Sequence, residues 1–67
     1  MNIASERVKA GLEQKDLAVK LNTSAATVSR WERGLSKPNA DQMVAMCELF
    51  GCSVDYLLGV SDDRVAR

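Results

Sequence analysis

The side chains able to do chemistry are unevenly placed along this chain. Seven of its nine basic residues (Arg7, Lys9, Lys15, Lys20, Arg30, Arg33 and Lys37) fall within residues 1–40, against four acidic ones, Glu6, Glu13, Asp16 and Glu32. Residues 41–67 reverse the balance, with Asp41, Glu48, Asp55, Asp62 and Asp63 against Arg64 and Arg67. The net charge of zero therefore conceals a basic half and an acidic half, and a polyanion would meet the basic one. Other chemistries lack their reagents. There is no histidine, so no imidazole can act as general base near neutral pH. The glycines stand apart at positions 11, 34, 51 and 59, so no glycine-rich loop cradles a phosphate. Catalysis is not expected. Cys47 and Cys52 are too few for a disulfide framework or for structural zinc, which takes four Cys or His ligands. They read as two small buried apolar side chains, with a redox or metal role as the alternative. No metal and no cofactor are expected.

Sixty-seven residues allow one domain. A chain of this size hides only about 60% of the surface its unfolded form exposes, so its core must be small and efficient or completed by a partner. With 46% apolar residues and one proline, disorder and linker behaviour are excluded. No apolar run approaches the roughly 18–20 residues of a membrane span. No charged flank precedes an apolar block at the N-terminus, so no signal peptide is expected. The expectation is a soluble, cytoplasmic protein.

The elements that must position these side chains are short helices. No segment alternates strictly over a strand length, so an all-α fold is expected. A first segment spans about Asn2 to Ala10, with Ile3 and Val8 placed on one side. A second runs from Gln14 to Leu21, where Leu17, Ala18 and Leu21 repeat at three and four and form one apolar stripe. Asn22-Thr23 makes a tight turn, asparagine tolerating positive φ. Ser24 caps a third helix from Ala25 to Arg33, which buries Val28 and the stem of Glu32. Asn39 followed three residues later by Gln42 is a capping-box pattern that opens a fourth helix. Its stripe is Met43, Met46, Cys47 and Phe50, and Gly51 stops it. Ser53 caps a fifth, short helix from Val54 to Leu58. From Gly59 onward the chain is polar and is expected to fray, which divides it into a domain at 1–60 and a polar tail at 61–67.

Two short helices joined by Asn22-Thr23-Ser24 suit a helix-turn-helix, whose second helix enters the DNA major groove. The chain resembles the Cro/repressor type of helix-turn-helix regulator, the XRE family. The matching residues are Gly11-Leu12-x-Gln14-x-x-Leu17-Ala18, then Ser24-x-x-Thr27-Val28-Ser29-x-Trp31-Glu32-x-Gly34, then Pro38. Cys47-x-Leu49-Phe50-Gly51-Cys52-Ser53-x-Asp55-Tyr56-Leu57-Leu58-Gly59 completes the pattern. The resemblance covers about Ile3 to Gly59. It implies a compact five-helix bundle of the lambda-repressor kind, with the third helix as recognition helix.

Residue roles follow from the same resemblance. The positions of base readers are Ala25, Ala26 and Arg30, with Ser24 and Thr27 beside them. An alanine methyl can touch a thymine methyl, and an arginine can pair with guanine O6 and N7. The direct readout is thus lean and centred on Arg30, unless Arg30 meets a phosphate instead. Gln14 corresponds to a glutamine that holds a phosphate and braces the recognition helix, and a helix N-terminus does favour phosphate. Lys15, Arg33, Lys37 and Asn39 are the remaining phosphate candidates; such contacts position a protein without specifying sequence. Lys20 ranks below them. Arg7 and Glu32 match a structural salt bridge between the first and third helices. Trp31 is expected to pack, because duplex DNA offers no exposed base faces. Three positions depart from the pattern: Glu13 replaces a Ser/Thr cap, Asn22 a glycine, and Thr23 an apolar residue. A carboxylate at Glu13 suits the helix dipole but repels phosphate.

The implied function is sequence-specific binding of double-stranded DNA, as a repressor and as a homodimer on a two-fold symmetric operator. Tyr56, Leu57, Leu58 and Val60 are the dimer candidates, although Leu57 or Leu58 is also expected to close the core. The alternative is an antitoxin-like module of the same fold that binds a protein partner. An additional C-terminal domain is a further possibility.

Overall fold

Local signals set most helix ends. In a computed structural model that describes residues 1–65, the helices are α1 (Ile3–Lys9), α2 (Gln14–Lys20), α3 (Ala25–Glu32), α4 (Ala40–Phe50) and α5 (Val54–Leu58). No strand occurs among the described residues. Ser24 Oγ accepts the Thr27 N–H at 3.1 Å at the start of α3, and Ser53 Oγ does the same for the Tyr56 N–H at the start of α5. Asn39 and Gln42 form the reciprocal box at α4. Asn39 Oδ1 accepts the Gln42 N–H at 2.8 Å, and Gln42 Oε1 accepts the Asn39 N–H at 2.9 Å. Gly51, at φ 68°, ends α4 in the left-handed region, and its N–H returns to the Cys47 carbonyl at 2.8 Å.

α1 has no side-chain cap. Asn2 instead reaches across the molecule, donating its N–H to the Leu57 carbonyl at 2.9 Å and its Nδ2–H to the Tyr56 carbonyl at 2.7 Å. The N-terminus is thereby stitched to the last turn of α5.

The core is a single cluster in which all five helices take part. Ile3, Leu17, Val28, Met46 and Leu57 are its most deeply buried large side chains, with Trp31 and Phe50 beside them. Trp31 is packing, as its position implied. Val8 is not part of this cluster, contrary to the sequence reading, and is 65% exposed. Five residues advance a helix by about 140° beyond a full turn, so Val8 cannot share a face with Ile3. The inward position belongs to Glu6, three residues after Ile3 and only 3% exposed.

The expected fraying after Gly59 is also replaced by contacts. The Arg64 carbonyl accepts the Ser53 N–H at 2.8 Å, and the Arg64 side chain reaches Glu6. Residues 61–64 therefore return to the body of the protein, where a buried carboxylate offers a partner that local sequence does not reveal. Ala66 and Arg67, which the sequence reading put in the tail, lie outside the described residues.

Candidate nucleic-acid interface

The α2–α3 pair makes the most extensive helix–helix contact in the molecule. Leu17, Ala18 and Leu21 present the inner stripe of α2, and Val28 and Trp31 that of α3. Between them the chain reverses tightly. Leu21 N–H bonds to the Leu17 carbonyl at 3.0 Å and Thr23 N–H to the Ala18 carbonyl at 2.9 Å. Asn22 takes φ 55°, which asparagine bears at lower cost than most residues.

One carboxylate braces this unit. Arg7 donates from Nε to Glu32 Oε2 at 2.7 Å and from its Nη2 to Glu32 Oε1 at 3.3 Å. Its Nη1 reaches the Leu12 carbonyl at 2.9 Å. Gln14 Nε2 donates to Glu32 Oε1 at 3.0 Å. A single acidic side chain of α3 thus joins α1, the α1–α2 connection and the first residue of α2. Gln14 keeps one amide N–H and its carbonyl oxygen for other partners, and the clamp sets the direction in which they point.

The outer side of α3 is open. Ala26, Arg30 and Arg33 are exposed, and Ala25, Thr27 and Ser29 are half-buried. Ser24 and Thr27 are already engaged. Ser24 Oγ holds the Thr27 N–H and lies 3.0 Å from Thr27 Oγ1, so both hydroxyls serve the cap first. The Ser29 hydroxyl has no such tie among the described residues. It stands four residues from both Ala25 and Arg33, on the same outward stripe, and Arg33 Nε folds back to the Ser29 carbonyl at 3.4 Å. The family pattern includes Ser29 without giving it a role; the 25–29–33 spacing is what turns it outward.

The other sequence-derived positions fall around this stripe. Lys15 is exposed and faces Glu13 Oε2 at 3.4 Å. The N–H of Glu13 is taken by Asp16 Oδ2 at 2.9 Å, so two carboxylates stand at the entry to α2. Lys37 is exposed in the α3–α4 connection. Asn39 spends its N–H and Oδ1 on the α4 cap, leaving its Nδ2 free of that role.

At the far end, Leu57 must be withdrawn from the dimer candidates. It is 0% exposed, because it occupies the inward position of α5. Tyr56 is half-buried, while Leu58 at 39% and Val60 at 74% do reach solvent. Both cysteines are free thiols, with Cys52 buried and Cys47 half-buried. Burial pushes both thiols up, Cys52 to about 11. Among the described residues no group of three His, Cys, Asp or Glu side chains could hold a metal ion. No described helix is long and apolar enough to cross a membrane.

Comparison with known proteins places this geometry. The family described as helix-turn-helix matches residues 3–57. The chain is 42% identical over 61 residues to the HTH-type transcriptional regulator ImmR of Bacillus subtilis, covering 91% of this chain and 46% of that protein. It is 39% identical over 59 residues to the 26 kDa repressor protein of Escherichia phage HK022, covering 82% of this chain and 25% of that one. The chain thus spans less than half the length of these relatives. In structure it is similar to the P22 c2 repressor protein solved in complex with a synthetic operator. The TM-score is 0.81 at 32% identity, over 90% of this chain and 91% of that one.

Proposed function

The chain belongs to the helix-turn-helix family, of the Cro/repressor (XRE) type, and we propose that it binds double-stranded DNA sequence-specifically and represses transcription. The observation that carries the reading is the open outer stripe of α3, bearing Arg30 and Arg33, on a helix whose inner side is packed and clamped through Glu32. A rigidly held helix with free cations on one side is what major-groove insertion requires. The solved relative's operator complex supports the same docking. Arg30 is the principal base reader, with Ala25, Ala26 and Ser29 adding methyl and hydroxyl contacts and Ser24 and Thr27 subordinate to their cap. Gln14, Arg33, Lys37, Lys15 and Asn39 meet phosphates. Binding is two-fold, with Leu58, Val60 and Tyr56 towards the second copy, and takes place in the cytoplasm. The protein acts by binding rather than by catalysis.

The test is selection of bound fragments from a random duplex pool at two salt concentrations. The expected result is a two-fold symmetric site with a guanine in each half. Arg30→Ala should abolish the guanine preference, a discrimination of about 1–3 kcal/mol. Binding that enriches no sequence and fades with salt would leave only the phosphate contribution and overturn the sequence-specific reading.

A further inference from the structure

Two ion pairs leave α1 from adjacent residues. Arg7 holds Glu32 of α3, as described above. Glu6 holds Arg64, which comes from beyond α5. Arg64 Nε donates to Glu6 Oε1 at 3.0 Å and to Oε2 at 3.1 Å, and its Nη2 donates to Oε1 at 2.6 Å. The same guanidinium also donates from Nη2 to the Phe50 carbonyl and from Nη1 to the Gly51 carbonyl at 3.3 Å, closing the C-terminal end of α4. The segment is further held by its backbone, through Ser53 N–H to the Arg64 carbonyl at 2.8 Å.

We propose that residues 61–64 are a latch on α1, and that its closure sets how firmly α3 and Gln14 are held for DNA. The inference rests on the DNA-binding reading above. Its physical basis is the bridge that Arg64 makes between Glu6 of α1 and the last carbonyls of α4. With the latch open, Arg64 no longer ties the Glu6 carboxylate of α1 to the C-terminal end of α4, and α1 is held by its remaining contacts alone. A cleft of about 220 Å³ lies beside it, lined by Glu6, Lys9, Ala10, Leu49, Phe50 and Arg64. It leaves α1 room to shift once the bridge is gone. α1 has seven residues and moves as one piece, so Arg7 moves with Glu6. The bonds from Arg7 to Glu32 and to the Leu12 carbonyl then stretch, and Gln14, which leans on the same Glu32, loses its reference. Events on the C-terminal side of α5 thereby reach the DNA-facing helices without touching DNA.

Two measurements test the latch on the full chain. The probe is a duplex of about 20 base pairs recovered from the selection above, or a mixed-sequence duplex of that length if none is recovered. The first measurement compares Arg64→Gln with the unsubstituted chain at low temperature, with circular dichroism verifying that the variant is folded. The expected result is a Kd raised about 3- to 30-fold, with the slope of log K against log salt unchanged. A slope reduced by about one would mean that Arg64 touches a phosphate, and would overturn the latch. An unchanged Kd in folded protein would overturn it too.

The second measurement needs no variant. Ser53 N–H bonds to the Arg64 carbonyl, so its hydrogen exchange reports opening of the latch. Coupling is reciprocal, so saturating duplex should slow Ser53 exchange by a similar factor. Exchange unaffected by DNA overturns the proposal. If the unsubstituted chain binds no duplex at all, the DNA-binding reading fails and takes the latch with it. Binding that ignores both Arg64→Gln and the state of Ser53 removes the latch alone.

Discussion

The two ion pairs of α1 are mirror images in charge and opposites in what they hold. Arg7 binds inward to the helix-turn-helix, where Glu32 also receives Gln14. Glu6 binds a segment 58 residues away, where Arg64 also closes α4. The first pair joins α1 to the helix-turn-helix, whereas the second ties the segment after the last helix to the body of the protein. A third pair, Lys15 with Glu13, lies on the surface, with side chains 74% and 73% exposed. Distance alone says little about what a pair does. What separates the three is how much water the charges keep and how many other groups depend on the same carboxylate.

Breaking the pairs one at a time would sharpen that contrast. The largest effects are expected for Arg7→Ala and for truncation of the core at Leu57. Arg7→Ala strands Glu32 in a site where both side chains are mostly buried, and the cost should be about 3 kcal/mol, near the lower end for breaking a buried pair. Chemical denaturation measures it, and a loss below 0.5 kcal/mol would show that Glu32 is satisfied without Arg7.

Leu57→Ala and Leu58→Ala form an internal control on the opposite end. The first should cost about 2–4 kcal/mol as a core truncation, the second less than about 0.5 kcal/mol in the monomer. Equal effects would contradict the inward placement of Leu57.

The Glu6–Arg64 pair has a pH signature. Hydrogen bonding from Arg64 holds the Glu6 carboxyl below the usual carboxylate range, against the opposing effect of burial. A lowered folded value means that the pair's stabilisation is present above the unfolded value, about pH 4.3. It is lost as the pH falls through the folded value. Denaturation midpoints taken across acid pH should therefore fall less steeply for Glu6→Gln than for the unsubstituted protein. Parallel profiles would deny the pair any role in acid stability.

The smallest effect is expected for Lys15→Ala. Exposed pairs are worth little, so stability should change by less than about 0.5 kcal/mol, readable in the same denaturation series. A larger loss would rank the surface pair with the buried ones.

These contrasts also separate what could be read along the chain from what could not. The caps at Ser24, Asn39 and Ser53 and the stop at Gly51 act within a few residues, so residue type and spacing reveal them. The stripes of α2 and α4 follow from the helical repeat. Arg7 and Glu32 were reachable only through the family resemblance, because nothing local joins residues 25 apart. Val8 was placed wrongly by an inexact reading of that repeat, in which five residues do not return to the same side. The outward placement of Ser29 follows from the 25–29–33 spacing alone.

Residue types and their spacing dictate a run of short helices with a basic first half and a helix-turn-helix pattern. Helix propensity, capping and apolar period are local quantities, and charge is a sum over residue types. That Leu57 rather than Leu58 enters the core, that Glu6 takes an inward position, and that Arg64 returns to meet it are set by the docked helices. Each of those depends on how helices distant in sequence dock against one another. A buried carboxylate is tolerable only where the completed fold brings it a countercharge.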